Sequence, residues 1–301
     1  MATRRVRVLV TGSSGRVGRY AVAALAEAGH DIDAFDLITG ADVRDAASVE
    51  AAVRGVGIVV HLAALNHGGP VGATDLMTTN VAGTWNVACA AARLGVRRVV
   101  YASSVNAFGV FLGLRAPDYL PVDDDHPCYG TSPYGASKLL GEEVCELITR
   151  STGLPTINLR IPRVVEPGRY ASTDARNLEC KGWEYGAFID ARDLGRPIVH
   201  AVEIPFDGHA RVLLSAADAM AVMPPVQVAD RLFPDVPWIN RAEFDVDPWR
   251  PLVRTERARD LLGWSPVHTW ADNVRESSLL RRRSLPVRVW RKARRAWRTQ
   301  R

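Results

Sequence analysis

Cysteine is scarce in this chain and badly spaced for a framework. Its four residues, Cys89, Cys128, Cys145 and Cys180, form no C-x-x-C pair and hold no metal-ligand spacing with the histidines, which excludes a disulfide scaffold and a zinc site. Unpaired thiols fit a reducing, cytoplasmic compartment. Long apolar runs are missing as well. Met1 to Val10 is basic, but its apolar stretch is too short for a signal-peptide core, and no run elsewhere is long enough to span a bilayer. Internal repeats and low-complexity linkers are absent. The last absence is of one charge sign: from Arg281 to Arg301 there are ten Lys and Arg and no acid, which leaves 28 basic against 33 acidic residues in the remainder. The net charge of +5 therefore belongs to the tail, and the body is mildly acidic.

What is present is the material of a large core: 301 residues, 47% of them hydrophobic, enough for one α/β domain with a small appendage. Arg7 to Val10 predicts a buried parallel strand, Arg16 to Ala28 a helix stopped by Gly29, and Asp31 to Phe35 a second strand ending at Asp36. A helix near Ala46 to Arg54, a strand from Gly57 to Leu62, an Ala-rich helix over roughly Asp75 to Leu94 and a strand from Arg97 to Ala102 continue the alternation. This order predicts an α/β, doubly wound parallel sheet with ligands at the strands' carboxyl ends. Val105 to Pro133, rich in Gly, Pro and Asp, reads as a long active-site loop. Ser132-Pro133 starts a helix to about Ser151, and Thr156 to Arg160 is another strand. A helix near Asp193 to Glu203, a strand at Arg211 to Leu214 and helices near Thr255 to Leu262 and Trp270 to Leu280 make a small C-terminal substrate-side lobe.

The first strand and first helix enclose Thr11-Gly12-Ser13-Ser14-Gly15-Arg16-Val17-Gly18. In that context G-x-x-G-x-x-G lets a pyrophosphate approach the backbone and rest on a helix N-terminus, so Gly12, Ser14, Gly15, Arg16, Val17 and Gly18 are candidate cofactor contacts. Asp36 ends the second strand about twenty residues on, where a carboxylate can accept hydrogen bonds from both ribose hydroxyls and repel a 2′-phosphate. NAD is favoured; Arg16, whose guanidinium can pair a 2′-phosphate, keeps NADP open. Asp42-Val43 can cover the adenine, although an Asp at a helix start is as often a cap.

Tyr134 and Lys138, four residues apart on the predicted helix, share one face. A tyrosine ordinarily titrates near 10, so working near pH 7 requires about 4 kcal/mol of preferential phenolate stabilisation. An ammonium about 4 Å away supplies a similar amount at an effective dielectric near 20, and an oxidised nicotinamide adds positive charge. Tyr134 is then the general acid/base at a substrate carbinol or carbonyl and, with Lys138, a cofactor contact, Lys138 holding the nicotinamide ribose, and Ser104 fixes the substrate oxygen. His61 reads as a packed histidine near the cofactor rather than a catalyst. Asn66, His67 and Asn106 sit in loops that face substrate. Asp123-Asp124-Asp125-His126 reads as a solvated loop, and no metal is expected.

These motifs occur in a familiar order. Thr11-Gly12-x-x-Gly15-x-x-Gly18, Asp36, Asp42-Val43, His61-Leu62-Ala63-Ala64, Asn80-Val81-x-Gly83-Thr84, Ser103-Ser104, Tyr134-x-x-x-Lys138, Leu159-Arg160, Asp190-x-x-Asp193 and Leu262-Gly263-Trp264-x-Pro266 resemble an extended short-chain dehydrogenase/reductase, the NAD-dependent epimerase/dehydratase family, over roughly residues 5 to 275. The resemblance implies a Rossmann fold and a homodimer. It implies that Leu62, Ala63 and Ala64 flank the cofactor, that Asn80 supports the active-site lysine through the neighbouring helix, and that Ile161 and Pro162 lie near the nicotinamide. It also implies a division into an NAD-binding part over 1–165, a substrate-side lobe with returning sheet elements over 166–280 and a tail over 281–301. Two departures bear on substrate. Nucleotide-sugar epimerases of the family usually carry an Asn-containing stretch after Leu-Arg, where this chain has Ile161-Pro162-Arg163, and an arginine there suits an acidic group or a surface ion pair. The 26 residues from Val164 to Ile189 are also short, as in uronate dehydrogenase-like members acting on free sugar acids.

The residues predict an NAD-dependent oxidoreductase acting on a hydroxyl or carbonyl of a sugar-like small molecule, sugar acids included. A nucleotide-sugar epimerase or dehydratase with the same residues, and a non-catalytic NAD-binding sensor or scaffold, remain open. On a helix from about Leu285 to Trp297, Val287, Trp290, Ala293 and Trp297 make one stripe among cations. Such a segment can lie on an anionic membrane, pack on the acidic body or meet a second subunit; nucleic acid is not expected as a partner.

Overall fold

The computed structural model describes residues 5–66, 71–170 and 184–274. His67, Cys180, the expected helix beyond Val274 and the basic tail lie outside the described residues. Strands β1 (Arg7–Thr11), β2 (Asp31–Phe35), β3 (Ile58–His61), β4 (Val99–Ser104) and β5 (Thr156–Ile161) run parallel, β6 (Arg163–Val165) and β7 (Phe188–Asp190) form a separate parallel ribbon, and β8 (His209–Leu213) returns to close the main sheet. The order β2-β1-β3-β4-β5-β8 is that of a Rossmann-type doubly wound sheet. Because the chain winds from β1 outward to β2 on one side and to β3 on the other, a crevice opens between the carboxyl ends of β1 and β3.

Both faces of the sheet are covered, so its central strands β1, β3 and β4 are mostly apolar, whereas the edge strands β2 and β8 carry more polar, partly exposed residues. Val8, Val10, Ile58, Val60, Val100, Ile157 and Leu159 pack towards helices α1 (Arg16–Glu27) and α6 (Gly195–Glu203), while Leu9, Val59 and Val99 pack towards α2 (Ala46–Val53), α4 (Gly83–Arg93) and α5 (Pro133–Thr152). Period-two alternation sorts neighbouring residues of one strand into the two cores.

The helix expected over Asp75 to Leu94 is not uniform. It consists of α3 (Ala73–Leu76), a π-turn at Met77–Ala82 and α4, and the wide turn buries Thr79 and Asn80. No apolar period announces such a turn, and π-turns concentrate at functional sites. The Val105 to Pro133 stretch also differs from an open loop. After a 3-10 turn at Val105–Phe108, Phe111, Leu120 and Val122 are buried with Tyr185, Phe233, Phe244 and Leu252 in the core of the second lobe. That lobe includes α7 (Pro225–Leu232) and α8 (Glu243–Val246), two short helices that no expected element covers, and α9 (Glu256–Leu262) and α10 (Trp270–Val274). Among the described residues no helix is long and apolar enough to cross a membrane.

Candidate active site

The glycine loop is fixed by backbone bonds. Gly12, at φ +68°, donates to Phe35 O at 2.8 Å, and Gly15 donates to Gly12 O at 3.1 Å before α1 begins. A Cβ on Gly18 would stand 2.1 Å from Gly12 O, so only glycine lets α1 approach the loop this closely. Gly15 caps α1 with no side-chain hydrogen bond and no acid occupies the first turn, which leaves the helix N-terminus open to an anion. Asp36 belongs to the same structure: its Oδ2 accepts Ser14 N–H at 2.8 Å and its Oδ1 accepts Ile38 N–H at 3.1 Å.

The second group of residues comes from β4 and α5. Ser132 caps α5 through Gly135 N–H at 3.0 Å, and a Cβ on Gly135 would come within 2.4 Å of Asn106 O, so the helix start lies directly on the turn after β4. Ser104, at the end of β4, is thereby brought to Tyr134, and its hydroxyl hydrogen-bonds the phenol. Lys138 is buried and donates from Nζ to Ala102 O at 2.7 Å, with Nζ 5.9 Å from the centroid of the Tyr134 ring. Burial pushes the Lys138 ammonium down to about 8, against the upward pull of Glu142 and Cys145. Burial also raises Tyr134 above its ordinary value, and the Ser104 hydrogen bond opposes this. Burial thus works against the phenolate, and any Coulombic gain from the lysine has to overcome desolvation of the same group.

One cavity of about 830 Å³ joins the two groups. Gly12, Gly15, Arg16, Val17, Gly18, Leu62, Ala64, Asn66, Ser104, Asn106, Tyr134, Lys138, Ile161, Pro162 and Arg163 all line it. Ser14, Asp36, Asp42, Val43, Ala63 and Asn80 do not. Ser14 and Asp36 are bonded to each other, Asp42 is paired with Arg44 at 2.5 Å, and Val43 is buried. Asn80 works on the backbone: Oδ1 accepts Leu65 N–H at 2.8 Å, while Nδ2 donates to Leu65 O and Ser137 Oγ, each at 2.9 Å. Its link to Lys138 thus passes through the adjacent Ser137.

Arg163 faces the cavity but not alone. Glu184, another lining residue, accepts from Arg163 Nη2 at 2.5 Å, so the guanidinium already has a carboxylate. Sequence gave no sign of Glu184, which reaches Arg163 only through the pairing of β6 with the chain entering β7. Phe111 and Leu112 line the cavity as well and carried no motif. Asp124 and His126 are buried rather than solvated; Asp124 Oδ1 accepts Leu213 N–H, and burial pushes its carboxyl up to about 6.

Residues 8–180 match the model of the NAD dependent epimerase/dehydratase family. The chain belongs to this family. Among its relatives, L-arabinose 1-dehydrogenase (NAD(P)(+)) of Haloferax volcanii is 34% identical over 171 residues, 52% of this chain and 66% of that protein. UDP-glucose 4-epimerase of Corynebacterium glutamicum is 26% identical over 311 residues, covering 88% of this chain and 92% of that protein. Against a Methanocaldococcus jannaschii relative, 33% identical over 177 residues, the chain spans 55% of the length. Among solved structures, a short-chain dehydrogenase/reductase superfamily protein from Agrobacterium tumefaciens with bound NAD superposes with a TM-score of 0.70 at 26% identity, over 98% of this chain and 100% of that one. The epimerase/dehydratase family thus contains relatives named for net oxidation and relatives named for epimerisation.

Proposed function

We propose that this member of the family is an NAD-dependent oxidoreductase acting on a hydroxyl or carbonyl of a sugar-like small molecule. One observation carries the reading: the glycine loop and the Ser104, Tyr134 and Lys138 side chains line the same cavity. The residues fit the cofactor. The open N-terminus of α1 suits a pyrophosphate, and the Asp36 carboxylate, held by two backbone N–H groups, suits ribose hydroxyls and opposes a 2′-phosphate. Arg16 turns instead towards Glu166, 3.9 Å away, which favours NAD over NADP.

When bound, NAD accepts or returns a hydride. The chain's own part is proton transfer and orientation: Tyr134 Oη takes the proton of the substrate hydroxyl as the carbon loses hydride, and Ser104 Oγ holds the substrate oxygen through a hydrogen bond. Lys138 in its ammonium form stabilises the phenolate and holds the nicotinamide ribose; Asn66, Asn106 and the Arg163–Glu184 pair border the substrate. With its charge already met by Glu184, Arg163 suits hydroxyl recognition as well as an acid. The test is a panel of free sugars, sugar acids and UDP-sugars. Net NADH formation with a free sugar or sugar acid supports the reading, and inversion of a UDP-sugar without NADH overturns it in favour of the epimerase, which the long match to the Corynebacterium epimerase supports.

The broader setting is proposed on the same footing. Residues 1–165 serve mainly the cofactor and 166–280 the substrate. Trp85 on α4 and Leu140 and Leu147 on α5 are 43 to 45% exposed, an apolar face suited to a homodimer; an unchanged solution mass for Leu147→Glu overturns it. Free Cys89, Cys128 and Cys145 suit the cytoplasm. The tail over 281–301 is proposed as an anionic-membrane contact, which equal sedimentation with anionic liposomes before and after its removal overturns.

A further inference from the structure

A buried hydrogen-bond chain runs from the glycine loop to the catalytic helix. Its links are Thr11 Oγ1 to His61 Nδ1 at 2.7 Å, His61 Nε2 to Thr84 Oγ1 at 3.0 Å, Thr84 Oγ1 to Asn80 O at 2.5 Å, Asn80 Nδ2 to Ser137 Oγ at 2.9 Å and Ser137 Oγ to Tyr134 O at 2.8 Å. Thr11, His61, Thr84, Asn80 and Ser137 are all buried. The proton positions follow from counting. A carbonyl only accepts, so the single Thr84 hydroxyl proton goes to Asn80 O, and towards His61 Thr84 can only accept. His61 Nε2 therefore carries a proton. At the other end Thr11 Oγ1 accepts Ala63 N–H at 3.3 Å and shares Leu62 N–H, 3.2 Å away, with the Thr11 carbonyl at 3.1 Å. Both its lone pairs are used, its proton goes to His61 Nδ1, and that nitrogen is bare.

We propose that His61, locked as the neutral Nε2–H tautomer, is a positioning residue that sets the floor of the cofactor cleft. As an acceptor at Nδ1 it turns the Thr11 lone pairs towards Leu62 and Ala63. Those backbone atoms lie against Gly12, where a Cβ would stand 2.6 Å from Ala63 N, so there is no slack between the loop and the strand end. The opposite tautomer would aim two protons at each other on the Thr11 side and two lone pairs at each other on the Thr84 side. Stacking on Tyr101, at 5.6 Å between centroids, keeps the ring in plane, and Lys138 Nζ sits 5.0 Å from the same Tyr101 ring. The cleft floor and the catalytic lysine thus share one support. Burial, with help from the Lys138 charge, holds the imidazole down at about 3, in agreement with the neutral ring.

The role in cofactor binding rests on the function proposed above, whereas the tautomer does not, and the two are measured separately. In free protein labelled with 15N-histidine, His61 is expected to show a pyrrole-type Nε2 and a pyridine-type Nδ1; protonation at Nδ1, alone or with Nε2, overturns the proposal. Thr84→Val removes the acceptor at constant shape. It is expected to speed amide exchange at Ala63, with Leu62 still held by the Thr11 carbonyl, and to weaken NAD about tenfold in calorimetry, and Thr84→Ser is expected to restore both. Exchange and affinity unchanged in Thr84→Val, or no rescue by Thr84→Ser, overturns the positioning role. A wild type that binds no NAD overturns the functional reading, and the spectrum and exchange rates still decide the role of His61.

Discussion

Glu142 and Arg160 meet as a two-pronged ion pair, with Arg160 Nε 3.0 Å from one carboxylate oxygen and Nη2 2.8 Å from the other, both side chains being buried. Glu142 lies one helical turn beyond Lys138, and its carboxylate also accepts from Ser103 Oγ, the neighbour of Ser104. Arg160 continues to Asp124 O at 2.8 Å and stands over the Phe108 ring at 4.3 Å. Helix α5, the end of β4 and the second lobe are joined at this pair. Glu142→Gln keeps the shape but strands a buried guanidinium, an imbalance worth about 3 to 5 kcal/mol. Urea denaturation should show a loss in that range; a loss below about 1 kcal/mol would mean that water reaches Arg160.

Tyr134→Phe should cost between about 10²- and 10⁴-fold in turnover while NAD affinity stays within about threefold, because the proton carrier is lost and the glycine loop and Lys138 remain to hold the cofactor. The pH profile gives a second reading. Tyr134 is raised by burial and so depends on a charged neighbour, and Lys138 loses its proton at about 8. Oxidation in wild type should therefore rise with pH as the phenol ionises and level off above about 8, where the ammonium is lost as fast as phenolate forms. Lys138→Arg, whose charge persists, should start lower and go on rising beyond about pH 8; levelling at the same pH in both proteins would detach Lys138 from the tyrosine.

Sequence carried the fold because period and punctuation survive in it. The strands of a doubly covered sheet are apolar runs, Gly29 and Gly153 mark helix ends with φ of +88° and +77°, and the glycine loop sits where a strand meets a helix. Ser104, Tyr134 and Lys138 were legible through chemistry at fixed spacing. What escaped depends on contacts between distant segments. Glu184 meets Arg163 across 21 residues, Asp124 meets Leu213 across 89, and Thr11 meets His61 across 50, and no local pattern encodes such encounters. The π-turn that aims Asn80 inward escaped because its period belongs to neither a helix nor a strand.

Asp36 gives a test of cofactor choice that leaves the loop intact. Asp36→Asn retains an acceptor for Ser14 N–H and removes the charge that would oppose a 2′-phosphate. Like-charge juxtaposition costs several kcal/mol, so the NADP to NAD ratio of kcat/KM should rise by at least about tenfold. Equal ratios for wild type and variant would show that the phosphate never comes near this carboxylate.

His61 should also leave a mark on acid stability. Its ordinary value is 6.5 and the folded protein holds it at about 3, so between these values the unfolded chain takes up a proton that the folded chain refuses. Stability from this group is complete above pH 6.5 and is lost as pH falls towards 3, amounting at pH 5 to about 2 kcal/mol. His209, held at about 4 by burial and by Arg211, acts in the same direction, whereas Asp124, raised to about 6, gains stability as pH falls through 6. The wild-type profile is a sum of opposing parts, and a single curve cannot assign them. His61→Phe retains a ring to stack on Tyr101 and cannot titrate, so subtracting its urea stability from that of wild type at pH 7.5 and again at pH 5 isolates the His61 share. The wild type should lose about 2 kcal/mol more than the variant over that interval. Equal losses would mean that His61 gains its proton in the folded state, in which case the ring could no longer accept from Thr11 and the chain of hydrogen bonds under the cofactor cleft would have to be broken at its first link.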